Sequence, residues 1–108
     1  MAGSDLFTGS LDLIILKSLS WGPMHGYAIA QWIRQRSDGA LAVEDAGLYQ
    51  ALHRMERKRW IESEWGVSEN NRKAKFYSIT KNGRKQLQAD VAELRTYVTA
   101  LYKVLQIA

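Results

Sequence analysis

A chain of 108 residues, 46% hydrophobic and 24% charged, is sized and composed for one globular domain, not for a disordered or multidomain protein. It has no cysteine, which excludes a disulfide framework and a thiolate metal site, and no apolar run reaches the roughly 18 to 20 residues of a membrane span. The formal net charge of +4 is unevenly placed, because residues 53–85 carry ten basic against four acidic side chains while residues 1–52 carry three against five. The opening Met1-Ala2-Gly3-Ser4-Asp5 lacks the basic start and long apolar stretch of a signal peptide, so a cytoplasmic location is expected.

The first predicted helix spans about 10–20. Leu11, Leu13, Ile14, Ile15, Leu16 and Leu19 make it apolar on nearly every side, which demands burial on more than one face. Trp21-Gly22-Pro23 stops it. A second helix starts near His25, carries Tyr27, Ile29, Ala30 and Ile33, and ends at 37–40. Residues 41–43 are placed as a short third strand beside a later hairpin. The third helix begins near Asp45, whose carboxylate is available to cap its first turn.

At about 100° per residue, Leu48, Leu52 and Met55 of the third helix form one buried stripe. Ala46, Gln50, His53 and Arg57 fall opposite, flanked by Gly47 and Arg54 on one side and Tyr49 on the other. An amide, an imidazole and a guanidinium at one-turn spacing suit a DNA major groove, where Gln pairs with adenine and Arg with guanine. A strand over 60–65, a polar turn over 66–73 and a second strand over 75–79 follow, and Thr80 opens the last helix. A helix followed by a hairpin with a basic tip is the order of a winged helix-turn-helix.

The last predicted helix covers 81–105. Leu87, Val91, Leu94, Val98, Leu101 and Leu105 step by four, three, four, three and four residues, an unbroken heptad seam. Tyr97, Tyr102, Val104 and Ile107 widen that surface. The stripe needs a partner, either a second copy or the first helix of the same chain; the two are compatible, and a homodimer is expected. The fold class is mostly α with a small β-hairpin. Residues 1–80 form the winged helix-turn-helix and residues 81–108 a dimerisation helix, in one continuous unit.

These assignments give sites. Gln50, His53 and Arg57 are the base-edge candidates, with Tyr27, Tyr49, Arg54, Arg72, Lys73 and Lys75 on phosphates. Glu44 and Asp45 repel phosphate unless they serve as caps. Leu11 and Ile15 join the heptad residues Leu87, Val91, Leu94, Val98, Leu101 and Leu105 at a dimer interface, and Phe7, Leu11, Ile15, Tyr97 and Leu101 are the candidates to line a cavity there. Trp21, Trp32, Trp60 and Trp65 are assigned as core or near-surface anchors. Two histidines without thiols do not suit a metal site, no cofactor motif is present, and no catalytic arrangement of side chains appears, so neither a metal site nor an enzyme is expected. The rival reading is a protein-interaction module that uses the last helix and has no specific affinity for DNA.

Several segments together carry a resemblance over nearly the whole chain: Gly9-Ser10-Leu11-Asp12-Leu13-Ile14-Ile15-Leu16, Gly22-Pro23-Met24-His25-Gly26-Tyr27, Leu48-Tyr49 with Ala51-Leu52-His53-Arg54-Met55-Glu56, and Lys75-Phe76-Tyr77-Ser78-Ile79-Thr80 with Gly83-Arg84. In this order and spacing the chain resembles the PadR family of winged-helix transcriptional regulators, and the runs 20–27 and 64–72 look like a short subgroup common in acidobacterial genomes. The resemblance implies a homodimeric repressor of inverted-repeat operators, released in many members by a small aromatic or drug-like effector. It places the recognition helix at 46–58, the wing at 66–74, and recurring tyrosines at Tyr27, Tyr49 and Tyr77. The chain departs from the family pattern where Ala46 and Gly47 replace a glycine and a hydroxyl residue, Gln50 replaces a proline, and Arg59 replaces a glycine before the first strand. A glycine at 47 costs up to ~1 kcal/mol of helix propensity, and Arg59 occupies a turn that favours positive φ.

Overall fold

The computed structural model describes the backbone of residues 2–107 and the side chains of residues 10–107. Seven elements follow in order: α1 (Ala2–Leu19), β1 (Met24–His25), α2 (Gly26–Arg36), α3 (Asp45–Arg57), β2 (Ile61–Val67), β3 (Lys73–Ile79) and α4 (Lys81–Leu105). The strands form one antiparallel sheet in the order β1-β3-β2. No helix among the described residues is long and apolar enough to cross a membrane.

The core is assembled from one face of each element. Ile15, Leu16 and Leu19 of α1 meet Ile29 and Ile33 of α2, Leu48, Ala51, Leu52 and Met55 of α3, Ile61 of β2 and Tyr77 of β3. The buried stripe expected on α3 is present, with Ala51 added to it. Ile15 is fully buried in this cluster, which removes it from the expected dimer interface and effector cavity, since it has no surface left to offer.

Helix ends follow local chemistry. α1 starts at Ala2 and not near residue 10, because no proline interrupts the stretch before the apolar run. Gly22, at φ 143°, takes the turn after α1 in a conformation open to glycine. His25 then caps α2, its Nδ1 accepting the Ala28 N–H at 3.2 Å, while its backbone belongs to the sheet. The third strand is therefore Met24–His25, paired with Phe76 and Tyr77. The strand expected at 41–43 does not form, since that side of the sheet is already taken. The expected cap at Asp45 is also corrected: Glu44 is the N-cap and makes no side-chain cap hydrogen bond, and Asp45 lies within the first turn, where a carboxylate is favoured by the helix dipole.

The C-terminus of α3 closes as a Schellman motif, with Trp60 N–H donating to the Met55 carbonyl and Arg59 N–H to that of Glu56, both at 3.0 Å. Arg59 is the left-handed residue of that motif, at φ 62°. The conformation suited to glycine is thus kept while the side chain is not. A non-glycine residue there costs about 1–2 kcal/mol, offset in part by the greater unfolded freedom of glycine. Arg59→Gly is therefore expected to stabilise the fold by about 0.5–1 kcal/mol. The check is a higher urea midpoint at an unchanged slope.

The hairpin is longer than expected, running to Val67 and resuming at Lys73. Its register pairs Ile61 with Ile79, Ser63 with Tyr77, Trp65 with Lys75 and Val67 with Lys73. α4 spans the residues expected of it and is capped by Thr80, whose Oγ1 accepts the Gly83 N–H at 3.0 Å. Its first half packs on α1, with Leu87 against the core. The 51 Å long axis of the molecule, against 29 and 25 Å, reflects a helix that runs on beyond its own domain. Leu87, Val91, Leu94 and Val98 are half-buried within this chain, whereas Leu101, Leu105, Val104 and Ile107 are exposed.

Candidate nucleic-acid interface

α3 is turned so that its apolar stripe faces the core, which puts Gln50, His53 and Arg57 in solvent. Beside its first half rises the hairpin. A tight tip holds the hairpin end: Ser68 N–H donates to the Arg72 carbonyl at 2.8 Å, Asn71 N–H to that of Ser68 at 2.9 Å, and Arg72 N–H to Ser68 Oγ at 3.3 Å. Asn71 takes the left-handed position at φ 60°, which asparagine tolerates. The tip thereby presents Arg72 and Lys73, both exposed.

Between helix and hairpin lies an open cleft of about 720 Å³, and six of the nine expected DNA contacts line it: Tyr27, Tyr49, His53, Arg72, Lys73 and Lys75. Tyr27 and Tyr49 offer exposed phenols, and Gln31 Nε2 donates to Tyr27 Oη at 2.9 Å. Gly26 makes this arrangement possible, since a Cβ there would lie 2.6 Å from the Tyr49 hydroxyl. Lys75 is half-buried, with Glu56 at 3.9 Å, and Glu56 also accepts a 2.6 Å hydrogen bond from Ser63 Oγ. Tyr77 is buried, and burial first, then the nearby Glu56 and Tyr49, pushes its phenol above the usual 10.0. It is a neutral core residue with no surface for a phosphate.

The other three expected residues lie elsewhere. Gln50 is on the outer face of α3. Arg57 is in the last helical turn, grouped with Glu56, Arg59 and Glu62 around a separate shallow depression. Arg54 is half-buried and bonded through Nη2 to Oδ1 of Asp12 on α1, so its charge is already engaged within the fold.

The cleft also contains residues that the sequence reading did not select, Gln31 and Trp65. Trp65 and Trp21 are each 63% exposed, which corrects their assignment as anchors. Trp32 and Trp60 do pack partly against the core. For Trp65 the signal was the strand period, which puts it on the same face as Lys73 and Lys75 once the hairpin register is known.

Of the residues expected to line an effector cavity between two copies, Ile15 is buried in the core, Leu11 is half-buried, and Tyr97 and Leu101 are exposed. The side chain of Phe7 lies outside the described residues. Leu13, Ile14, Trp32, Leu87 and Val91, with Lys17 and Arg95, line an open groove of about 610 Å³ between α1, α2 and α4.

Three core helices and a small sheet with an extended hairpin constitute a winged helix-turn-helix with a long C-terminal helix. The model of the transcriptional regulator PadR-like family matches residues 15–89. The chain belongs to that family. A transcriptional regulator from Clostridium thermocellum superposes with a TM-score of 0.84 at 31% identity, covering 93% of this chain and 94% of that one. A PadR family transcription regulator from Clostridium difficile gives 0.78 at 28%, over 88% and 97% of the two chains. Bacillus subtilis PadR in complex with operator DNA gives 0.66 at 20% identity, covering 74% of this chain and 45% of that one, a likeness of fold. An uncharacterised protein of Lysinibacillus sphaericus is 36% identical over 93 residues, 86% of this chain and 85% of that one.

Proposed function

We propose that the protein is a repressor that binds an inverted-repeat operator as a homodimer and is released by a small aromatic effector. The observation that carries this reading is the single cleft in which the exposed side of α3 and the basic wing face one another. α3 enters a major groove, with Gln50 and His53 at base edges, and the wing follows the neighbouring backbone with Arg72 and Lys73. Arg57, in the trailing turn among carboxylates, takes a lesser part than its residue type suggests. A second copy covers the exposed end of α4 and brings a second α3 to the next turn of the duplex, about 34 Å away. The groove between α1, α2 and the first half of α4 is suited to an apolar effector.

The test is fluorescence anisotropy of labelled DNA from upstream of the protein's own gene, against scrambled DNA, over a salt series. The expected result is a preference for the native fragment, with log affinity falling against log salt by about 0.9 per phosphate neutralised. An interaction module that leaves DNA alone predicts no retention even at low salt, and that outcome rejects the proposal.

A further inference from the structure

We infer that Trp65 is a DNA-contacting residue, packing its ring on the deoxyribose of the strand that crosses the cleft between α3 and the wing. The inference rests on the DNA-binding reading above and assigns a surface within it.

The argument begins with strand alternation. Ile61, Ser63, Trp65 and Val67 share one face of β2, opposite Ile79, Tyr77, Lys75 and Lys73 of β3. At the base of the hairpin that face is core, with Ile61 and Tyr77 buried. Among the described residues, none in the outer half of the hairpin belongs to the buried core. A solvated hairpin end calls for polar residues, yet the alternation continues with Trp65 and Val67, 63% and 66% exposed. The Lys73 ammonium lies 5.3 Å from the Trp65 ring, a cation–π contact that supports the hairpin but leaves most of the indole uncovered.

Charge identifies what covers it. Along the paired part of the hairpin, Lys73 and Lys75 lie on the face of Trp65, while Glu62 and Glu64 lie on the opposite face. The cleft face is therefore basic as well as apolar, with Glu69 the acidic residue lining it. A polyanion with apolar patches matches this surface. Position narrows the choice further. Trp65 lines the cleft with Tyr49 and His53 of α3 and with Arg72 near the tip. With α3 in a major groove and the tip at the adjacent minor groove, the sugar-phosphate strand separating the two grooves runs through this cleft. Phosphates meet the lysines and phenols there, and the apolar sugar edge meets the indole. Such a contact adds affinity without reading sequence and without neutralising charge.

That combination is measurable. Trp65→Ala, Trp65→Phe and Lys73→Ala are compared with wild type on a labelled random-sequence duplex and on DNA upstream of the protein's own gene, across a salt series. Trp65→Ala is expected to weaken both duplexes by about tenfold at every salt concentration, leaving the slope of log affinity on log salt unchanged. Trp65→Phe recovers most of the loss, and Lys73→Ala lowers the slope by about 1. The emission difference between wild type and Trp65→Ala shifts to the blue on adding DNA, as expected for an indole moved from water onto sugar. Trp65→Ala binding within about twofold of wild type overturns the assignment, as does a loss confined to one sequence or accompanied by a smaller slope. Wild type failing to bind either duplex at low salt overturns the DNA-binding reading itself, and this assignment with it. Trp65 is exposed, and an unchanged melting temperature separates a binding defect from a folding one.

Discussion

Replacing Gly83 with alanine is expected to cost about 3–5 kcal/mol of stability, the largest effect of any glycine-to-alanine change among the described residues. A Cβ at position 83 would lie 2.1 Å from the Trp60 carbonyl oxygen and 2.8 Å from Ile79 Cγ1. The first obstacle is backbone and cannot rotate away. That carbonyl is also an acceptor shared by Thr80 N–H and Thr80 Oγ1, both at 2.9 Å. The single Thr80 hydroxyl proton is shared between that carbonyl and the Arg59 carbonyl, which lies 2.7 Å from Oγ1. A shift of α4 large enough to admit the methyl therefore breaks the bonds that anchor the helix to the start of β2. For a domain of this size the melting temperature should fall by more than about 12 °C. Circular dichroism melts of wild type and Gly83→Ala decide it; a loss below about 1 kcal/mol means the junction yields more easily than its geometry implies.

Replacing Gln50 with alanine should weaken operator binding by about 1–3 kcal/mol, roughly five- to 150-fold, while leaving affinity for random DNA nearly unchanged. Gln50 is exposed on the outer face of α3, one turn from His53, and makes no hydrogen bond to another side chain among those described. Its amide offers two donors and an acceptor to a base edge. Anisotropy titrations of Gln50→Ala against both duplexes separate a base contact from general attraction. Equal losses on the two would make Gln50 a backbone contact, and no loss on either would take it out of the interface.

Most of the architecture was legible because it rests on patterns internal to single elements. The α4 seam, the buried stripe of α3 and the Thr80 start are each fixed by a few residues at a set spacing. What escaped prediction depends on neighbours distant in sequence. The short strand at Met24–His25 exists because β3 offers it a free edge, and nothing in residues 41–43 reveals that this edge is already occupied. The ion pair of Arg54 with Asp12 joins residues on separate helices, so nothing local to α3 reveals it. Ile15 was indistinguishable from its apolar neighbours on α1 until the packing gave it to the core. In the candidate interface, Arg72, Lys73 and Lys75 were recognisable from charge and position on the hairpin, and Tyr49 and His53 from their place on the helical wheel. Trp65 was not, because tryptophan is usually an anchor and its face is set by the hairpin register.

The junction of Thr80, Gly83 and Trp60 has a mechanical meaning as well. It is a fixed pivot from which α4 extends about 37 Å as a stiff lever, at 1.5 Å per residue. A turn of about 3° at the pivot moves the far end by about 2 Å over such a length. Read in reverse, a small sideways displacement where two copies meet reaches the foot of the wing as an angular change. In the proposed dimer, the separation of the two DNA-reading surfaces is thus set by the aim of α4. A ligand beside α4 can then spoil the match to a half-site spacing without touching the surface that meets DNA.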